Sequence, residues 1–457
     1  MHRLLSITAA VALTIVPLAV TPSVGAATPP TLTGPTVAGY YDSVVLNGTT
    51  PLPSEQVDVY AKGASTGATY AVVRHLTSDG AGHFTVSFRE TTTITLYARA
   101  GGTNSATHMT QLRTATCTVS KPAFTKLPIT DPAADAEFPD FAAFTANRGS
   151  TWAGVSVSVS GARFGIIQYT AGHSAKLLFA FGRYNGSYEP AAPGSVYVSA
   201  ITPHGYLSVT VQEVQTSLED DRFAAYTYRS GALHSVARSG AWQSIHLVGV
   251  GASGHLVGWV RAGTVANPKF AVVEWWETGT HYRYLTAYQT NEPFPIVDPA
   301  GDVSYLRDDG YYVVRVAETG RLYPIPALPR PADGNVFPTV AAPTGRVLYG
   351  TSDGQLAHWT IGPAGVSAPT QLSAAISGKN THWASLAGPG GELVDGYFGS
   401  SPNPQHLLTA NRAYVQVPLQ VNADSAVSGR PGSVLDASGT LAFTAGGDHL
   451  PHFLSCR

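Results

Sequence analysis

Four aromatic residues stand at nearly the same distance before a recurring glycine. Phe141, Phe337 and Trp383 each precede such a glycine by eight residues, and Phe294 precedes one by seven. Aromatic rings at repeated positions indicate one of two roles. They could stack on the sugar rings or the peptide of a ligand, or they could pack between neighbouring sheets. Polar neighbours that would contact the same ligand are Tyr288, Glu292, Asp333 and His382. These eight residues form the predicted ligand-binding set.

Two acidic clusters raise the question of catalysis. Glycoside hydrolysis uses two carboxyl groups about 5–10 Å apart, and the clusters are Glu219-Asp220-Asp221 and Asp308-Asp309. Because neighbours on a strand point to opposite faces, such pairs usually solvate a turn. The sequence also lacks GxSxG, HExxH and DxDxDG motifs. We therefore assign no catalytic residue, metal site or cofactor.

The recurring glycines define a repeat of about 47 residues. Each follows one apolar strand and precedes another, and further strands follow in the same order, such as VSYLR, YYVVRVA and RLYPIPA. Four short strands per repeat are typical of a blade in a β-propeller. The repeat predicts an all-β fold with a seven-bladed β-propeller over residues 120–457. Six of the glycines are Gly205, Gly254, Gly301, Gly345, Gly391 and Gly439. A weaker seventh copy is anchored on Gly149, 56 residues before Gly205, since the strands that follow the alternative, Gly161, fit the repeat less well.

The blades resemble WD40 repeats in length and strand order only. The WD dipeptide and the GH signature of that family are absent, and so are the Asp boxes of sialidase-like propellers. The resemblance therefore implies an architecture and no activity.

Residues 27–119 show short alternating runs, including DSVVLNGT, EQVDVYAKG and HFTVSFRE, with SDGAGH as a tight turn. This pattern predicts an immunoglobulin-like β-sandwich. The segment TSDGAGHFTVSF, followed by TTTITLYARAGG, resembles the small bacterial Ig-like domains of secreted actinobacterial proteins. That resemblance implies a spacer or adhesion module without chemistry of its own.

The sequence has two cysteines, Cys117 and Cys456, which either pair with each other or remain as free thiols. The last repeat stops after its third strand, so the segment AFTKLPITD at 123–131 is predicted to supply the fourth. A Cys117–Cys456 disulfide would then replace the missing hairpin and close the ring through an N-terminal strand.

Residues 1–26 have the pattern of a secretory signal peptide. A short basic region precedes the apolar run Leu4–Val16, and Ala26 ends a small-residue cleavage site. The run is shorter than the about 20 residues that span a bilayer, so we expect a secreted protein without membrane insertion. Charged residues make up 12% of the 457 residues, with a net charge of −2. This balance gives no electrostatic basis for nucleic-acid binding, and we expect a monomer.

The sequence leaves three functions open. The first is a secreted, non-catalytic binding or adhesion protein that recognises an extracellular glycan or protein through the propeller face. The second is a carbohydrate-active hydrolase or lyase with acids on the channel face, and the third is a structural cell-surface module. A cavity in which several titratable groups converge would favour the enzyme, because such convergence is typical of active sites.

Overall fold

The computed structural model describes residues 28–89, 91–121, 141–157, 164–184, 187–189, 195–213, 222–251, 253–327, 336–352, 354–373, 382–397, 406–417, 433–436, 438–444 and 451–457. Within these ranges the secondary structure consists of β-strands, without a helix. The part of the chain that the structure describes therefore contains no helix that could cross a membrane. The protein is all-β, as the sequence predicts.

The chain divides into two compact units. The smaller takes in the described part of Met1–Thr36, with Val45–Phe88 and Ile94–Thr110, and the larger takes in Val37–Val44, Arg89–Thr93 and Gln111–Arg457. Strands β1 to β9 form a three-stranded sheet, β1-β3-β6, and a second sheet, β2-β9-β7-β4-β5, with β8 on β7. Their bounds are β1 Thr31–Thr33, β2 Val37–Ala38, β3 Ser43–Thr49, β4 Gln56–Gly63, β5 Ala71–Thr77, β6 His83–Arg89, β7 Ile94–Ala100, β8 Thr103–Asn104 and β9 His108–Leu112.

From residue 117 onward, the described strands of the larger unit form seven antiparallel sheets, called I to VII here. In each of the first three, strand order follows chain order. Sheet I contains β11 (Phe141–Arg148), β12 (Thr151–Val157), β13 (Phe164–Thr170), β14 (Lys176–Tyr184) and β15 (Ser187–Glu189). Sheet II contains β16 (Ser195–Ile201), β17 (Leu207–Glu213), β18 (Arg222–Arg229) and β19 (Ala232–Ser235). Sheet III contains β20 (Trp242–Val250), β21 (Leu256–Thr264), β22 (Asn267–Trp275) and β23 (Tyr282–Tyr284).

The next three sheets follow the same plan. Sheet IV contains β24 (Ile296–Val297), β25 (Val303–Leu306), β26 (Tyr312–Arg315) and β27 (Leu322–Pro324). Sheet V contains β28 (Val336–Ala341), β29 (Val347–Ser352), β30 (Gln355–Gly362) and β31 (Gly365–Val366), with β32 (Thr370–Gln371) also on β30. Sheet VI contains β33 (His382–Ala387), β34 (Leu393–Tyr397), β35 (His406–Leu408) and β36 (Tyr414–Gln416).

Sheet VII joins the two ends of the larger unit. It contains β37 (Ser433–Leu435), β38 (Leu441–Thr444), β39 (Pro451–Cys456) and, as its fourth strand, β10 (Cys117–Ser120). Strands β10 and β39 run antiparallel, and Cys117 lies opposite Cys456, to which it is joined by a disulfide. The predicted pairing is confirmed.

The position of the closing strand needs a correction. Residues 123–131, which the sequence favours for this strand, lie outside the described residues, and the strand that pairs with β39 is Cys117–Ser120. An antiparallel partner must begin where β39 ends, so the closing strand starts at the cystine itself and not after it.

The first strands of the seven sheets contact one another in a closed order. Strand β11 contacts β16, the contacts continue through β20, β24, β28 and β33 to β37, and β37 returns to β11. Neighbouring sheets share hydrophobic clusters. Tyr305 of sheet IV packs with Val272 of sheet III, and Phe144 of sheet I stacks on Phe453 of sheet VII with ring centroids 6.2 Å apart. The apolar residues of the repeats thus lie between sheets, where each buries the face of the next.

The seven repeat glycines lie in the turns between the first and second strands, and all have left-handed φ values between 57° and 89°. We call this end of the sheets the turn end. The opposite end, where the first and third strands begin, is called the entry end. A left-handed turn residue is favoured as glycine because a Cβ atom is strained there.

Replacing Gly205 by alanine tests this conformational requirement. An added Cβ would meet open space, so the expected loss of about 1 kcal/mol comes from the backbone alone. Gly240→Ala is the matched control, since its Cβ also meets open space and its φ lies outside the left-handed region. Guanidinium unfolding midpoints should fall for Gly205→Ala only, and equal midpoints for the two variants would contradict the interpretation.

Candidate ligand-binding site

A cavity of about 350 Å³ lies at the entry end of sheet III. Its floor is one face of three paired strands, on which Ser244 of β20 pairs with Arg261 of β21, and Arg261 pairs with Phe270 of β22. His246 pairs with Trp259 in the next row of the same face. Directly paired residues, and residues two apart on a strand, point to the same side of a sheet, so all five side chains face the cavity.

Aromatic rings form the walls. Phe223, at the start of β18 in sheet II, stacks on His246 with ring centroids 4.9 Å apart. His246 in turn lies 5.2 Å from Trp259, and the Trp259 ring meets Phe270 edge-on at 5.7 Å. The backbone N–H of Phe223 donates to Ser244 Oγ at 3.1 Å. The cavity therefore offers several aromatic surfaces next to a hydroxyl and an imidazole.

Glu292 completes the lining from the linker between β23 and β24. Burial raises the pKa of its carboxyl group, and the nearby positive charge of Arg261 partly opposes that shift. A carboxyl group with a raised pKa beside a guanidinium is suited to hydrogen bonding with hydroxyl groups in either protonation state.

The linker is held in place at both ends of its Gln289–Asn291 stretch. Gln289 exchanges two backbone hydrogen bonds with Phe270, at 2.7 and 2.8 Å, and its side chain donates to the Leu306 carbonyl at 2.7 Å. Asp308 Oδ1 accepts from the backbone N–H groups of Thr290 and Asn291 at 2.7 and 2.9 Å. These bonds lower the pKa of Asp308, with the Asn291 N–H as the largest cause. Asp308 thus fixes the loop that carries Glu292.

The predicted ligand residues lie at several places on the larger unit. Glu292 lines the cavity. Tyr288 accepts a hydrogen bond from Trp242 Nε1 at 2.9 Å, and Phe294 and Phe337 are both exposed at the entry end. Asp333 lies outside the described residues, as does the Glu219–Asp221 cluster. Phe141, His382 and Trp383 lie in the first strands of sheets I and VI, and their side chains are not described.

Six cavity residues were not predicted from the sequence. The residues predicted from the sequence stand at a fixed distance before the turn glycines, whereas this cavity is built from cross-strand rows on second and third strands as well. A signal was present in β20 and β21, where Ser244-x-His246 and Trp259-x-Arg261 place polar groups on otherwise apolar strands. The six are Phe223, Ser244, His246, Trp259, Arg261 and Phe270.

Within the described ranges, no group of three or more His, Cys, Asp or Glu residues could hold a metal ion.

Comparison with known proteins does not assign the chain to a family. No protein-family model matches, and no curated protein matches. Among solved structures, an oligogalacturonate lyase in complex with manganese is similar, at 9% identity and a TM-score of 0.45, over 75% of this chain and 96% of that one. A DUF4784 family protein from Bacteroides caccae shares 10% identity at a TM-score of 0.24, over 86% and 96% of the two chains. Dipeptidyl peptidase 4 of Porphyromonas gingivalis shares 12% identity at a TM-score of 0.25, over 80% of this chain and 44% of that one.

Proposed function

We propose that this chain is a secreted, carbohydrate-binding protein, in which an immunoglobulin-like module precedes a seven-bladed β-propeller. Each of sheets I to VII would be one blade. The closed order of contacts among their first strands and the shared hydrophobic clusters support this architecture. The two sheets formed by β1 to β9 support the module. The Cys117–Cys456 disulfide is consistent with an extracellular protein.

The observation that carries the binding function is the lining of the entry-end cavity. The rings of Phe223, Trp259 and Phe270 line the cavity, and the parts of these rings that reach it can contact the apolar side of a sugar ring. Arg261 and Glu292 supply a donor and an acceptor for hydroxyl groups. A cavity that combines apolar rings with a few convergent polar groups is suited to a small-molecule ligand.

A carbohydrate-active enzyme is the second candidate, because three titratable side chains converge in this cavity. His246, Arg261 and Glu292 line it together, and burial raises the pKa of Glu292. Two-carboxylate hydrolysis needs a second carboxyl group across the scissile bond. Among the cavity-lining residues, all of which are described, Glu292 carries the one carboxyl group. This composition favours binding over hydrolysis.

An array of neutral and acidic oligosaccharides, probed with the full chain, tests the proposal. We expect binding to a restricted set of glycans, without cleavage of the bound glycan on long incubation. Cleavage that Glu292→Gln abolishes while binding persists would favour the enzyme. The absence of binding to every glycan on the array would overturn both candidates.

Trp259→Ala is expected to weaken glycan binding at least tenfold, because central aromatic residues of binding sites commonly contribute 1–3 kcal/mol or more. Trp276→Ala is the matched control. Trp276 is exposed at the turn end of the same sheet, and its loss should leave the dissociation constant within twofold. Titration calorimetry with an array-selected glycan measures both values.

Because Trp259 is buried, each variant also needs an unfolding midpoint, and Arg261→Gln provides a second test at a half-buried position. Equal affinities for wild type, Trp259→Ala and Arg261→Gln would exclude this cavity as the binding site.

A further inference from the structure

We propose that the ligand continues from the cavity onto a second subsite built on Phe294, so that the protein binds a linear oligosaccharide and not a single sugar. This inference rests on the proposed carbohydrate-binding function. It concerns the length and direction of the ligand, which the cavity alone does not define.

Phe294 belongs to the same short segment as Glu292. The two residues are separated by Pro293, which is buried, and Phe294 is followed by Pro295, which is also buried. Two residues of extended chain span at most about 7 Å. The Pro293 carbonyl accepts a hydrogen bond from the Leu306 N–H at 2.8 Å. The cavity-lining carboxyl group and the Phe294 ring are thus carried by one rigidly held piece of backbone.

The backbone of Phe294 is strained, although its side chain is largely exposed. Its φ is +40°, a left-handed value that a bulky residue rarely adopts, and its side chain remains 53% exposed. Such strain costs about 1–3 kcal/mol and is concentrated at functional sites. Glycine would relieve the strain, and more than half of the surface of Phe294 is already in contact with water. Packing therefore does not explain this backbone conformation of Phe294, whereas the presentation of an aromatic face to a ligand does.

The next sheet places another exposed ring at the corresponding position. Phe337, at the start of β28 in sheet V, is 49% exposed, and its ring meets Tyr312 of sheet IV at 6.1 Å with planes 68° apart. Tyr311, beside Tyr312 at the same entry end, is 70% exposed. Exposed aromatic side chains therefore occur at the entry end of sheets IV and V, which follow sheet III in the closed order of contacts. A row of separate faces of this kind fits successive sugar rings of a linear chain.

The test uses ladders of one to six units from a neutral series, cello-oligosaccharides, and an acidic series, oligogalacturonates. The glycans selected on the array are added as further ladders, and titration calorimetry is carried out on the full chain. We expect wild-type affinity to rise with length over the first units, by roughly threefold to tenfold for the unit that reaches Phe294. Phe294→Gly should remove that rise and leave the affinity for a single unit unchanged. Phe337→Ala should reduce only the gain from later units.

Stability measurements separate this role from a structural one. Phe294→Gly should keep or raise the unfolding midpoint, because strain is relieved, whereas a packing role would lower it. Leu322→Ala is the control, since Leu322 is 50% exposed but starts β27 at the turn end of sheet IV. It should change neither affinity nor its dependence on length.

Two results would overturn the inference alone: wild-type affinity that does not depend on length, or an equal loss for one unit and for six units in Phe294→Gly. A chain that binds no carbohydrate of any length would instead overturn the proposed function.

Discussion

Replacing Cys117 and Cys456 by serine is expected to lower the free energy of unfolding of the larger unit by about 4–5 kcal/mol. The disulfide joins residues 339 positions apart, so it removes a large amount of conformational freedom from the unfolded chain. It also holds the short strand β10 on β39 at the place where a hairpin is missing. Guanidinium unfolding followed by tryptophan fluorescence measures the effect, since all seven tryptophans lie in the larger unit.

Reduction of the wild-type protein provides the control for the serine variant. Unfolding in the presence of a thiol reductant should give the same midpoint as the double variant, and a reductant should not affect the variant. A loss of less than 1 kcal/mol would mean that the pairing of β10 with β39 closes the ring without covalent help.

The free energy of unfolding of wild type, relative to that of Asp298→Asn, is expected to fall by about 2–3 kcal/mol between pH 4 and pH 8. Asp298 and Asp302 are both buried, with exposed fractions of 0% and 1%, in the Gly301 turn of sheet IV. Asp298 Oδ1 accepts the Asp302 N–H at 2.9 Å, and Arg346 Nε lies 3.3 Å from Asp302 Oδ2. Burial, followed by the negative charge of Asp302, raises the pKa of Asp298 to about 6.

The sign of this dependence follows from the raised pKa. Between an ordinary aspartate pKa of 3.8 and about 6, the folded protein binds more protons at Asp298 than the unfolded chain does. The contribution of Asp298 to stability is therefore greatest at low pH, falls as the pH rises through this window and stays reduced above about 6. Asparagine stays neutral and keeps the oxygen that accepts the Asp302 N–H, so the variant should lack this loss.

Urea unfolding of wild type and Asp298→Asn at several pH values measures the difference, in which the titration of carboxyl groups that do not interact with Asp298 cancels. Asp309→Asn, which removes an exposed carboxylate paired with Arg307 at 3.0 Å, is the control. Its difference from wild type should vary by well under 1 kcal/mol across the same range. A constant difference between wild type and Asp298→Asn would contradict the assignment.

The sequence predicted the features that depend on local chemistry. A glycine with positive φ is required by the backbone at its own position, so six of the turns could be located from their spacing of about 47 residues. Gly149, 56 residues before Gly205, was located from the strands that follow it, and each of the seven glycines has a left-handed conformation. With two cysteines, only one disulfide was possible. The start of the closing strand was harder to predict, because Cys117–Ser120 is too short to show an alternating pattern and is defined by its partner β39.

The cavity could not be predicted in the same way. It depends on which residues of β20, β21 and β22 lie opposite one another, and register is set by tertiary pairing and bulges such as the one between Trp242 and Ser244. The role of Asp308 shows the same limit. The sequence presented it as half of an acidic pair, whereas in the structure it fixes the linker of Glu292 through bonds to residues 290 and 291.

A crystal structure of the full chain with an array-selected oligosaccharide tests the proposed function most directly. We predict difference density for a sugar ring in the entry-end cavity, stacked on Trp259 or Phe270 and within hydrogen-bond distance of Glu292, with further units leading toward Phe294. Density for the glycan elsewhere on the protein, with this cavity occupied by water alone, would contradict the proposed function.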